Sequence, residues 1–376
     1  MKIETSETYR KMTIRPNKIA IIGTVGVPSN YGGFETLADN LVLYHSDNNR
    51  SEIITVYCSG TAFKARPKYY HTARLRYLPL KANGAQSPLY DTLSILLAAL
   101  QGHNRILLLG VSGALILPLL RLLWWIEVVT NIDGIEWKRQ KWKGFAKSFL
   151  RFSELLAVRF SHEVIADNQA IANYITETYA KPCTVISYGG DHATKRKASE
   201  IVPARLPKRF ALALCRIEPE NNVHMILDAF SNKETNLVFV GNWENSEYGR
   251  KLKSRYVDHP TIKILSPVYD PSALKAIRER ASIYVHGHSA GGTNPSLVEM
   301  MHFGIPVFAY DCSFNHYTTE DKALFFTNAD DLSLQISTLK HLQAKEIGKH
   351  MQSIAENNYT WEKVGAAYFD LLSTNG

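Results

Sequence analysis

The chain has 376 residues, 45% of them hydrophobic and 21% charged, with a formal net charge of +8. That length fits two domains better than one core, and the composition excludes a disordered or fibrous chain. The positive balance favours acidic partners: phosphorylated substrates, an anionic membrane surface or nucleic acid, the last being weakest because no binding motif and no long Lys/Arg run is present.

The first 17 residues are polar and charged without an apolar segment, so they read as a flexible leader and not as a secretory signal. Lys18 to Gly23 is a short β-branched run, the pattern of a buried parallel strand. Glycines 23, 26, 32 and 33 follow, and an amphipathic helix is predicted from about Thr36 to Tyr44. Strand, glycine loop and helix make the first βα unit of a doubly wound sheet. The spacing is not GxGxxG, so a dinucleotide site is weakly supported. Gly32 and Gly33 suit a backbone that approaches a sugar or phosphate; tight strand-to-helix packing is the plainer alternative.

Further strands are predicted at Ile53–Cys58, Leu75–Leu78, Ile106–Leu109 and Glu127–Thr130. The apolar run Ile106 to Leu120 is 15 residues long and contains Pro118, which is short for a spanning helix and reads as a buried strand followed by a core helix. Asp133 lies just past the fourth of these strands, where open α/β sheets place ligand-binding groups; a helix cap is the alternative. The segment Trp137-Lys138-Arg139-Gln140-Lys141-Trp142-Lys143 mixes tryptophans with cations, as an interfacial membrane contact does, or as an ordinary solvated helix face would. A long helix then runs to about Phe160. Val164–Asp167 and Thr184–Asp191 read as strands, the latter ending in a glycine turn, and residues 192–208 are polar, marking the domain boundary.

A second alternation begins at Phe210–Cys215 and continues through Leu237–Gly241, Ile262–Leu265, Ile283–His286, Pro306–Tyr310 and Leu324–Phe326. Arg216 leaves the first of these strands, placed to clamp a phosphate with its fork of donors or to form a surface ion pair. The stretch Tyr284 to Val307 reads as strand, small-residue loop, helix and strand. Its loop, Ser289-Ala290-Gly291-Gly292-Thr293, lets backbone amides come close to a ligand; Asn294 suits an N-cap and Pro295 the first helical position. Free N–H groups there form an anion site, and Glu299, just over one turn in, suits ribose hydroxyls. His286 and His288 offer polar contacts, His288 being nearer the loop; a metal pair is the alternative, lacking an evident third ligand. The four cysteines are widely spaced, with no CxxC pair, which suggests neither a disulfide framework nor zinc. No Asp-x-Asp occurs, so no metal and no other cofactor is expected. The fold class read from this pattern is α/β, two doubly wound halves with a cleft between them.

Four segments carry a resemblance: Ile19 to Leu37, Asn131 to Trp142, Leu214 to Asn222 and His286 to Glu299. The chain resembles the GT-B glycosyltransferases of the large retaining family four, and within it bacterial rhamnosyltransferases of cell-surface polysaccharide assembly. The resemblance implies two Rossmann-like domains, 18–200 for acceptor and 201–355 for nucleotide sugar. It also implies a final helix, 356–376, that crosses back to the first domain. It implies a dTDP- or UDP-sugar donor, a lipid-diphosphate-linked saccharide acceptor and a place on the inner face of the cytoplasmic membrane. The implied donor contacts are Gly32, Gly33, Arg216, Asn221, His288, Gly291, Gly292, Thr293, Asn294 and Glu299. Asp133 is the candidate group at the reacting centre, and Trp137, Lys138, Trp142 and Lys143 are the candidate membrane or acceptor contacts. The chain departs from the family at three places: Gly291 replaces a glutamate, Asn221 a lysine and Ile132 a histidine. A diphosphate site short of one point charge and one sugar acceptor fits a deoxy-sugar donor, or a weakened or altered activity.

Overall fold

The computed structural model describes residues 17–29, 32–123, 125–132, 134–139, 142–200, 205–231 and 233–373. The expected leader up to residue 16, and Asp133, lie outside them.

Two parallel sheets form. The first contains β1 (Lys18–Ile22), β2 (Ile53–Ser59), β3 (Tyr69–Tyr70), β4 (Ala73–Leu78), β5 (Arg105–Leu109), β6 (Glu127–Ile132), β7 (Glu163–Ala166) and β8 (Thr184–Val185), in the order β3-β4-β2-β1-β5-β6-β7-β8. Among the described residues only the β3–β4 pair is antiparallel. The second contains β9 (Phe210–Leu214), β10 (Leu237–Val240), β11 (Ile262–Leu265), β12 (Ala281–His286), β13 (Val307–Tyr310) and β14 (Leu324–Phe326), ordered β11-β10-β9-β12-β13-β14. Strands covered on both faces are near-continuous apolar runs, as in β1, β5 and β10, whose inner residues are buried.

Strand order dictates where ligands fit. In each sheet the winding reverses beside the first strand, between β1 and β5 in one and between β9 and β12 in the other. Helices leave such neighbours on opposite faces, so a crevice opens at their carboxyl ends. The glycine loop after β1, Arg216 after β9 and the small-residue loop after β12 all start there.

The first helix, Gly33–Asp47, begins three residues before the predicted start. The predicted strand Thr184–Asp191 pairs only over Thr184–Val185. It lies at the sheet edge, and beyond it the chain turns away to meet the C-terminal segment: Gly190 N donates to Tyr359 O at 2.7 Å. A Cβ on Gly189 would lie 2.6 Å from the Trp361 ring. Within the polar stretch 192–208, His192–Lys195 forms a helical turn.

The last helix, Trp361–Ser373, follows the helix His341–Asn358 and packs on the first domain beside the helix Gly33–Asp47. Tyr44 stacks on Phe369 with centroids 5.8 Å apart, and Arg105 Nε donates to Leu372 O at 3.3 Å. Trp361, Val364, Tyr368, Phe369 and Leu372 are buried in a core shared with both sheets. No helix among the described residues is long and apolar enough to cross a membrane.

Candidate active site

The loop after β1 is shaped from within. Glu35 Oε1 accepts from Val25 N at 2.8 Å and from Thr24 Oγ1 at 3.2 Å, so the first turn of the helix holds the loop down. Gly32 has φ +127°, and a Cβ there would lie 1.9 Å from Glu35 Oε2. Glycine is required at this point by conformation and by space. Gly33 backs onto the Tyr188 hydroxyl, 3.0 Å from where its Cβ would be. Packing constrains both positions.

The loop after β12 is more enclosed than a free cradle. Asn294 accepts from Ser296 N at 3.0 Å and caps the helix Pro295–Met301, with Pro295 at its start. The small residues before it meet the other domain. A Cβ on Gly134 would lie 3.1 Å from Gly291 Cα, and a Cβ on Gly292 would lie 1.7 Å from Asp167 Oδ1. Thr293 Oγ1 donates to Asp167 O at 2.5 Å, and Asn168 Nδ2 donates to Thr293 Oγ1 at 3.3 Å. Gly291, Gly292 and Thr293 are buried. Their lack of bulk lets one domain come close to the other.

His288 is the centre of the site's electrostatics. Its Nδ1 bonds Asn221 Oδ1, while Asn221 Nδ2 donates to Arg216 O at 2.7 Å. Asn221 thus ties a loop together instead of offering a charge. Burial pushes the His288 pKa far down, helped by His286 and by the guanidinium groups of Arg139 and Arg216. The ring stays neutral, flanked by one arginine from each domain. Arg139 Nη2 is 3.6 Å from where a Cβ on Gly291 would be, and Gly291 itself has φ +118°. Arg139 Nε lies 3.0 Å from Glu136 Oε2 and 3.9 Å from Glu220 Oε1, which places it between domains. Arg216 is 35% exposed, with Glu218 Oε2 at 3.9 Å from Nη2. His286 is buried at the strand end, its Nδ1 3.2 Å from the Tyr284 hydroxyl; burial pushes its pKa down to about 3. No group of three or more metal-ligating side chains occurs among the described residues.

Glu299 is already engaged within the chain: Oε2 is ion-paired with Arg278 Nη2 and Oε1 lies 3.2 Å from His192 Nε2. Trp361 Nε1 donates to His192 Nδ1 at 2.9 Å, so the ring's proton sits on Nε2 and points at Glu299. Burial raises the Glu299 pKa, but Arg278 and His192 outweigh it and hold the carboxyl at about 2. Each oxygen retains a second lone pair for a hydroxyl donor.

Trp137 and Trp142 turn toward their own domain. Trp137 Nε1 donates to Glu154 Oε1 at 3.2 Å, and its ring lies near Lys138, Lys147 and Arg151. Trp142 Nε1 donates to Glu136 Oε1 at 2.8 Å. Lys138 and Lys143 are exposed. Arg139, Asp167, Asn168, His192 and Arg278 all belong to the site, yet none was singled out from sequence. Arg139 lies in the segment Asn131 to Trp142 but reads there as one cation of a basic run; Asp167, Asn168 and His192 meet the second domain only across the domain junction, and Arg278 reaches Glu299 from a separate helix of the same domain.

Comparison with known proteins agrees with this geometry. Residues 16–191 match the family model described as a domain of unknown function, DUF1972, and residues 194–361 match Glycosyl transferases group 1. No curated protein matches the chain by sequence. Among solved structures it is similar to the sucrose-phosphate synthase of Thermosynechococcus elongatus, at 15% identity and TM-score 0.79, covering 94% of this chain and 98% of that one. HepE of Anabaena, solved with UDP-glucose, superposes with TM-score 0.70 at 16% identity, covering 95% and 99%. The catalytic domain of starch synthase IV from Arabidopsis thaliana, bound to ADP and acarbose, gives TM-score 0.69 at 11% identity, covering 95% and 99%. Two facing Rossmann-like domains, the second matching the group 1 model, make this chain a GT-B protein with a glycosyl transferases group 1 domain.

Proposed function

We propose that the chain is a retaining glycosyltransferase that moves L-rhamnose from dTDP-rhamnose to a lipid-diphosphate-linked saccharide in bacterial surface polysaccharide assembly, working at the inner face of the cytoplasmic membrane. The observation that carries sugar transfer is the convergence of Arg139 and Arg216, from opposite domains, on the loop at His288 and Gly291. Two guanidinium groups beside backbone amides match a diphosphate, and they stabilise the charge that grows on it as it leaves. In the transfer the anomeric carbon–oxygen bond to phosphate breaks and its electron pair leaves with the nucleoside diphosphate. An acceptor hydroxyl oxygen bonds the same face of the sugar, and its proton passes to the departing phosphate.

Rhamnose is supported by the resemblance and by Gly291, whose position brings no carboxylate to the sugar. A UDP-hexose is the second reading, favoured by the neighbour solved with UDP-glucose. Asp133 is the proposed group that orients the acceptor hydroxyl. Each radiolabelled donor, incubated with membrane lipid extract, tests the assignment. Label from dTDP-rhamnose, persisting in excess EDTA, is expected. Label only from a UDP-sugar sinks rhamnose, and a converted donor without acceptor points to an epimerase. Donor binding by calorimetry with no transfer to any extract leaves a non-catalytic binding protein.

A further inference from the structure

The helix Ser87–Leu100 is built inside out. Its buried side carries Asp91 and Ser94 beside Tyr90, Ile95 and Ala98. Asp91 Oδ2 accepts from Ser112 Oγ at 2.6 Å, and Ser94 Oγ donates to Tyr90 O at 2.8 Å. Its outer side carries Leu89, Leu93, Leu96 and Leu100, spaced along one stripe, with Leu100 84% exposed. Amphipathic helices of soluble domains show the opposite arrangement.

The stripe has neighbours of the same kind. The segment Ala114–Leu120 packs against this helix and against the helix Gly144–Phe160, so the three form one surface over the first sheet. That surface adds Leu119, Leu122, Trp125, Phe145 and Phe152, with Leu122 77% and Phe145 86% exposed. Exposed apolar side chains gathered on packed neighbouring elements mark an interaction surface. Its middle segment, Ala114–Leu120, follows β5 at the crevice end of the first sheet.

Charge selects the occupant. Residues 53–160 hold 15 Lys and Arg against five Asp and Glu, and none of the five lies between residues 53 and 90. Of the four carboxylates among the described residues in that span, Asp91 and Glu154 are buried and Glu127 and Glu136 half-buried. Arg121, Lys138, Lys143, Lys147, Arg151 and Arg159 are all exposed. On the other flank, Arg66, Lys68 and Arg76 line a shallow pocket together with Leu97. Leucines and aromatic rings framed by cations fit acyl chains below a layer of phosphates. A second copy meeting this face with its own would set positive charge against positive.

We infer that this face is the chain's docking surface for an anionic lipid bilayer, with the leucines of Ser87–Leu100 entering the acyl boundary. It rests on the reading of a membrane-borne acceptor, and it moves the contact from Trp137 and Trp142 to residues whose apolar groups point outward. The test is flotation of the full chain with vesicles of phosphatidylglycerol and phosphatidylcholine, with donor binding read by calorimetry on the same samples. The triple variant L89Q/L96Q/L100Q is expected to lose about tenfold or more in bound fraction, since burial of three leucines is forfeited. The charge reversal R121E/K143E, or high salt, is expected to weaken binding too, and Leu342→Gln, an exposed leucine of the second domain, to leave it unchanged. Equal flotation of wild type and triple variant, or no flotation of wild type at low salt, overturns the surface. A dimer that the triple variant dissolves assigns the face to a second copy and also overturns it. Failure to float with donor binding intact touches only this surface and leaves the proposed sugar transfer standing.

Discussion

The sharpest test inside the site is Glu299→Gln. The substitution keeps the shape and removes the charge, leaving Arg278, whose side chain is 6% exposed, without its anion. The carboxyl is held at about 2 against an ordinary 4.5. At about 1.4 kcal/mol per pKa unit, that difference corresponds to about 3 kcal/mol of folding stability at neutral pH. Breaking a buried pair by removing one partner costs a similar amount, about 3–5 kcal/mol. Because the folded pKa is depressed, this stability is fully present above about 4.5 and is lost as pH falls toward 2. Urea unfolding at pH 7 reads it directly: Glu299→Gln is expected to lose about 3 kcal/mol. The double variant R278M/E299Q is expected to recover part of that, since neither charge is then stranded. A Glu299→Gln chain within about 0.5 kcal/mol of wild type, or purely additive losses in the double variant, would refute the argument.

Other outcomes follow from the same geometry. Arg216→Ala is expected to weaken nucleotide-sugar binding at least about tenfold by calorimetry, with most of the loss shared by the free nucleoside diphosphate, since a charge-assisted contact is worth roughly 1.5–3 kcal/mol. Gly32→Ala places a side chain at φ +127° and against Glu35, so thermal unfolding should shift down by the equivalent of at least about 1–3 kcal/mol. His286, pushed down to about 3 by burial, is neutral in the folded chain, whereas the unfolded chain takes up a proton below its ordinary 6.5. Stability should therefore fall as pH drops through 6.5, by about 2 kcal/mol at pH 5 from this residue alone, and His286→Gln should flatten that slope in urea titrations at several pH values.

Much of this protein is local and therefore legible in its sequence. Apolar β-branched runs separated by helical periods specify two parallel sheets, and Asn294 with Pro295 specifies the start of a helix, because these preferences act within a few residues. Arg216 sits at the exit of its strand for the same reason. The tertiary structure decided what those groups face. Gly291 and Gly292 are small because Gly134 and Asp167 of the other domain press on them. Glu299 is engaged by Arg278, 21 residues earlier, and by His192 beyond the domain boundary. Arg139 joins the site only because the first domain delivers it to the second. The leucines of Ser87–Leu100 lie on the surface, a placement that only the fold decides. Hydrophobic periodicity tells which residues share a face; only the packing of sheets and helices tells whether that face meets a core, a ligand or a membrane.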